Sequence, residues 1–113
     1  MAGTLYEGFF VQGDVAGGGT TTHTTVRPLE LYDAEVYATA TAGGGTIKVT
    51  TAGGDFTNTM ACATDTNIAR ATLLTFANKL AGTGTTISFV GASGASGTAT
   101  VYCIVTGSGI ALP

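Results

Sequence analysis

Residues 32–107 form a succession of short runs of threonine, valine and alanine, separated by glycine-rich connections at 43–45, 53–54, 82–84 and 91–97. β-Branched side chains lose rotamer freedom in a helix and suit a pleated surface, while glycine supplies the positive φ angles of tight turns. The pattern predicts about six to eight short strands at close spacing, which is the signature of an all-β sandwich or barrel. With 113 residues the chain has the length of one domain with a single modest core.

Individual strands can be placed by period. Ala34-Glu35-Val36-Tyr37-Ala38-Thr39-Ala40-Thr41 alternates, with its valine and alanines on one face and its tyrosine and threonines on the other. The alternating Leu29-Glu30-Leu31-Tyr32 leads into it, and Pro28 keeps Arg27 extended. Thr46-Ile47-Lys48-Val49-Thr50 repeats the pattern after three glycines, which predicts a hairpin partner. Thr85-Thr86-Ile87-Ser88-Phe89-Val90 and Thr98-Ala99-Thr100-Val101-Tyr102-Cys103-Ile104-Val105-Thr106 are the clearest strands. Residues 68–80 admit two readings. One is a helix capped by Thr66 or Asn67, with Ile68, Ala71, Leu74 and Ala77 or Phe76 on one face. The other is two short strands, which Thr72, Thr75 and the surrounding β pattern favour.

The N-terminal segment Thr4-Leu5-Tyr6-Glu7-Gly8-Phe9-Phe10-Val11 carries three of the nine aromatics and runs into Gly13-Asp14-Val15-Ala16-Gly17-Gly18-Gly19. It reads either as an arm that docks elsewhere or adds a strand to a sheet, or as an ordinary first strand of the core. The expected organisation is an arm and extended segment over residues 1–31 and a β-sandwich over 32–113.

Charge narrows the function classes. Only 10% of residues are charged, against about 25% in an average domain. The mean hydropathy is +0.38, so part of this surface is expected to be covered by copies of itself or by another protein. The net charge is −3, and the four basic residues Arg27, Lys48, Arg70 and Lys79 are dispersed, whereas nucleic-acid binding needs a basic patch. No apolar run reaches the roughly 18 residues that cross a bilayer, and Met1-Ala2-Gly3-Thr4 has no charged n-region, so neither a membrane-spanning nor a secreted protein is expected.

The residues suited to chemistry are few and scattered. His23 lies in a threonine run without convergent partners, which suits a solvated or interfacial side chain better than a base or metal ligand. Glu30, Asp33 and Glu35 cluster, yet calcium needs six or more oxygens from a shaped loop, so solvated strand-edge charges are the better reading. Asp55 and Asp65 read as turn residues. Ser88, Ser93, Ser96 and Ser108 lack a nucleophile elbow, and the glycine triplets do not precede a helix bearing Lys-Ser/Thr. Cys62 and Cys103 sit in apolar segments and read as two buried thiols, with a disulfide as the alternative. No enzyme, metal site or cofactor is expected.

From Val36 onward, the order of pieces resembles a jelly-roll-like β-domain of small structural proteins in tailed bacteriophages. The resemblance rests on the Thr46-Ile47-Lys48-Val49 strand after its glycine turn, the loop through Asp55-Phe56 and an alanine-rich middle. It continues through Gly84-Thr85-Thr86-Ile87-Ser88-Phe89, an Ala/Ser/Gly turn, and the closing Gly97-Thr98-Ala99-Thr100-Val101-Tyr102-Cys103-Ile104-Val105. The chain is similar there to head decoration, or cement, proteins, although residues 68–80 stand where relatives carry a more acidic loop. The resemblance implies a virion protein made in the host cytoplasm and placed on the outer capsid surface. There it would bridge subunits of the major capsid protein, often as a homotrimer. Leu5, Tyr6, Phe9, Phe10 and Val11 would be the capsid-binding residues. A phage fibre or receptor-binding module is the alternative; it would expose Tyr32, Tyr37, Phe56 or Tyr102 to a glycan. A small hydrolase on a sandwich scaffold has the least support.

Overall fold

The computed structural model describes residues 3–39, 44–62 and 67–112. Its strands are β1 (Thr4–Leu5), β2 (Gly8–Val15), β3 (Thr20–Thr24), β4 (Leu29–Ala38), β5 (Thr46–Thr51) and β6 (Gly54–Asp55). They continue with β7 (Met60–Ala61), β8 (Ile68–Arg70), β9 (Leu80–Ala81), β10 (Thr86–Ala92), β11 (Gly97–Val105) and β12 (Ile110–Ala111). One sheet has the order β2-β11-β4-β8, with β9 also pairing β4. The other has the order β3-β10-β5-β6, with β7 also pairing β5. β2, β3, β4 and β5 alternate between the sheets along the chain, β10 then joins the sheet of β5 and β11 that of β4, and every pairing is antiparallel. This is the two-sheet arrangement of a jelly roll.

Alternation within each strand builds the core. The inward residues of β4 and β11 include Leu29, Leu31, Val36, Ala99, Val101, Cys103 and Val105; they meet Ile47, Val49, Ile87 and Phe89 from the opposite sheet. Phe56, Met60 and Cys62 fill the side where the β5–β7 connection closes over the core. In β4 the period slips once. Tyr102 pairs with Asp33 but Cys103 with Leu31, leaving Tyr32 as an extra residue. A bulge of this kind turns two consecutive side chains, Tyr32 and Asp33, away from the core.

Two turns lock one end of the sandwich. Gly19 N–H donates to Ala16 O (3.1 Å) around Gly17 and Gly18, both at positive φ; Ala95 N–H donates to Ala92 O (3.2 Å) around Ser93 and Gly94, also at positive φ. Both have the conformation of a type I′ turn, which glycine adopts at low cost. They interlock through Gly18 N–H, which donates to Ala95 O (2.8 Å), and Gly17 N–H, which donates to Ser96 Oγ (3.1 Å).

The structure departs from the sequence expectations in two places. β5 is not a hairpin partner of β4; it pairs β10, β6 and β7, because the two apolar faces pack against each other from opposite sheets. The glycine turn preceding it lies partly outside the described residues. The boundary expected between residues 31 and 32 falls inside β4, while β2 and β3 belong to the two sheets and Val11 and Val15 to the core. Residues 68–80 form two short strands, as favoured, with a 3-10 turn at Phe76–Asn78 between them.

Candidate functional site

β2 and β11 pair along eight residues, and the two chain ends then continue beyond the sandwich as a separate two-stranded ribbon, β1 with β12. Val105 N–H donates to Glu7 O (2.8 Å) and Glu7 N–H to Ser108 Oγ (3.1 Å) at the ribbon base, and Leu112 N–H donates to Gly3 O (2.7 Å) at its far end. Leu5 lies directly opposite Ile110, and both are more than half exposed, at 56% and 62%. Leu112, two residues beyond Ile110, shares their face over Gly3. On the other face the Tyr6 ring covers Gly109, where an added Cβ would stand 2.9 Å from Tyr6 Cε1. An isolated two-stranded ribbon is marginally stable in water, and this one leaves an apolar face exposed.

The base of this ribbon is clamped by charge. Arg27, in the β3–β4 connection, forms a two-pronged ion pair with Glu7, and its guanidinium stands 5.6 Å from the centre of the Phe9 ring. The Arg27 hydrogen bonds hold the Glu7 carboxyl below its ordinary range, and Glu7 raises Arg27 in return. Beside them Phe9, Val11, His23, Val26, Arg27 and Leu29 line a small apolar hollow of about 80 Å³.

The five residues read from the sequence as partner-binding are thus divided by the strand period. Leu5 and Tyr6 stand on opposite faces of the ribbon. Phe9 and Val11 point to the core side of β2, Phe9 half-exposed under Arg27 and Val11 buried, which removes Val11 from any contact surface. Phe10 points outward and is 63% exposed. Ile110 and Leu112 were missed; the signal available was the apolar Ile110-Ala111-Leu112 after Gly107-Ser108-Gly109.

A second feature occupies the outer face of the β2-β11-β4-β8 sheet. The register aligns Phe10 with Tyr102 and Asp33, Gln12 with Thr100, Glu35 and Arg70, and Asp14 with Thr98, Tyr37 and Ile68. Gln12, Glu35, Tyr37, Ile68, Thr98 and Thr100 line an open hollow of about 310 Å³. Tyr102 and Tyr32 contact across the bulge, their ring centres 6.3 Å apart, and Tyr102 O–H donates to Glu35. That bond raises the Tyr102 phenol above its ordinary range. Phe56, also weighed as a glycan-facing aromatic, is fully buried.

The acidic cluster does not converge on an ion site. Glu30 pairs with Lys79 (3.2 Å), Asp33 with Arg70, and Glu35 accepts from Tyr102. Lys48 pairs with Asp55 (3.1 Å), so each of the four basic residues is matched to a carboxylate. Asp65 lies outside the described residues. Among the described residues no three His, Cys, Asp or Glu side chains are grouped to hold a metal, and no helix is long and apolar enough to cross a membrane. Both cysteines are free and buried; burial pushes the Cys103 thiol up to about 12 and raises Cys62 as well.

No family model matches the sequence, and no curated protein matches it either. Among solved structures, the fold is similar to a chain in the acidic stable capsid structure of Helicobacter pylori bacteriophage KHP30. The TM-score is 0.61 and the identity 8%, covering 100% of this chain and 99% of that one. A chain of the cyanophage Pam1 capsid asymmetric unit matches with a TM-score of 0.46 and 14% identity, over 92% of this chain and 84% of that one. At these identities the likeness is one of fold.

Proposed function

We propose that this protein is a structural component of a phage virion, sitting on the outer capsid surface as a cement protein and bridging subunits of the major capsid protein. The observation that carries this reading is the likeness to a chain of the KHP30 capsid structure, which covers 100% of this chain and 99% of that one. The surface chemistry supports it. A chain with 10% charged residues, all four bases already paired, presents little that repels a neutral protein surface. The ribbon supplies an apolar anchor that reaches beyond the sandwich, with Leu5, Ile110 and Leu112 on one face and Tyr6 on the other. Phe9 and Phe10 extend the contact along the ribbon base. Assembly as a homotrimer would put three such ribbons at one junction between capsid subunits.

The test is add-back to purified particles lacking this protein, comparing the wild type with a Leu5→Ser/Ile110→Ser variant. Burying each of these side chains contributes about 1.5–3 kcal/mol, so the variant should bind at least about a hundredfold more weakly. Its sandwich should melt as the wild type does, because neither residue touches the core. Failure of the wild type to bind particles, or full occupancy by the variant, would refute the reading.

A further inference from the structure

The geometry points to a binding site for a neutral sugar ring in the 310 Å³ hollow on the outer face of the β2-β11-β4-β8 sheet, a role beyond the capsid reading. The volume lies at the lower end of the range for small-ligand sites, which combine an apolar wall with a few convergent polar groups. Tyr37 and Ile68, adjacent on β4 and β8, form that wall, and both are substantially exposed. A pyranose offers one face of C–H groups to an aromatic ring and a rim of hydroxyls to polar neighbours, so it presents the complementary division.

The polar groups are partly satisfied and partly free. Gln12 Nε2 donates to Thr100 Oγ1 (3.0 Å), leaving Gln12 Oε1 to accept and the Thr100 hydroxyl hydrogen to donate. Thr98 Oγ1 donates to Asp14 Oδ1 (2.8 Å) and keeps its own lone pairs. Glu35, which also lines the hollow, accepts Tyr102 O–H through Oε1 and keeps Oε2 as a further strong acceptor for a ligand hydroxyl. Asp14 and Glu35 select against an anion, and Arg70, the ladder neighbour of Glu35, is matched by Asp33 and lends the hollow no free positive charge. The apolar wall and the hydrogen-bonding rim together suit an uncharged polyhydroxylated ligand.

The isotope-labelled full chain should be titrated with the methyl glycosides of glucose, galactose, mannose and N-acetylglucosamine while backbone amide shifts are followed by NMR. Saturable shifts at Gln12, Tyr37, Ile68, Thr98 and Thr100 are expected with at least one of the four. Tyr37→Ala should weaken that binding about tenfold, the loss of one aromatic platform. Glu35→Gln, which can still accept from Tyr102, provides a second variant that preserves the fold and should also bind more weakly. Absence of saturable shifts with all four glycosides, shifts centred elsewhere, or undiminished binding by Tyr37→Ala would overturn the assignment. Because the titration uses the isolated protein, its outcome is independent of capsid attachment.

Discussion

Gly13 is the position where one added methyl group tests the packing of the two sheets most sharply. It lies on the inward side of β2, and a Cβ built there would stand 2.4 Å from Phe89 Cδ2, 2.8 Å from Cε2 and 3.0 Å from Cγ. Carbon atoms in contact sit about 3.5–4.0 Å apart, so the ring would have to retreat by about 1 Å. Phe89 is fully buried on β10 of the opposite sheet, in an interior with no slack to receive it. Overpacking of this kind costs about 1–3 kcal/mol, offset by about 0.5–1 kcal/mol because alanine loses less backbone freedom on folding than glycine. Gly13→Ala should therefore destabilise the protein by up to about 2.5 kcal/mol, with about 1 kcal/mol as the central value, lowering the melting temperature by up to about 10 °C in a domain of this size. Urea denaturation read by circular dichroism gives the free energy directly. The decisive comparison is the cycle with Phe89→Leu, where the slimmer side chain should accept the new methyl and make the double variant more stable than the sum of the singles predicts. A stabilised Gly13→Ala, or strict additivity in the cycle, would show that the sheets do not meet through this contact.

Other perturbations probe other parts of the structure. Thr57 Oγ1 accepts the buried Val49 N–H (2.9 Å), so Thr57→Val, nearly the same shape, should cost about 1–3 kcal/mol in urea denaturation by leaving that donor unpaired. The two thiols should react with a disulfide reagent only as fast as the native protein opens, and reductant should leave the melting temperature unchanged; rapid labelling of the native state would contradict their burial. Cys103 also sets an alkaline limit. Its folded-state pKa is raised from 9.0 to about 12, so its contribution is fully present below pH 9 and is lost as the pH climbs toward 12, since only the unfolded chain releases the proton. Tyr102 acts in the same direction above pH 10, and Cys103→Ser should flatten the lower part of that alkaline decline. At the acid end, Glu7 has a lowered pKa, so the ribbon clamp is present above 4.5 and weakens as the pH falls; Arg27→Ala should remove that dependence from the amide exchange of residues 3–7.

The strands that form the middle of each sheet were legible because their side chains report the pleat. In β10 and β11, Ile87, Phe89, Val101 and Cys103 alternate with Ser88, Tyr102 and Ile104, and burial follows that period. β2 was ambiguous for a reason of packing. The glycine-rich stretch 13–19 reads as a flexible leash, yet Gly13 is a strand residue whose missing side chain makes room for Phe89, which lies 76 positions further on. The hairpin expected at Thr46 failed because period two marks which face of a strand is apolar but not which sheet the strand joins. The bulge at Tyr32 was equally hidden, although it turns Tyr32 and Asp33 outward together and sets the outer-face register of β4. Of the proposed anchor residues, Leu5 and Phe10 were readable as exposed apolar side chains, whereas their division among different faces depends on pairing with β12 and β11, at the far end of the chain.

The measurement that tests the structural reading most directly is the copy number of this protein relative to the major capsid protein, by quantitative mass spectrometry of purified particles from the source that encodes it. A cement protein spread over the whole shell should be close to equimolar with the capsid subunit. A handful of copies per particle would contradict that placement and favour a fibre or tail component, and absence from the particles would contradict a virion role altogether.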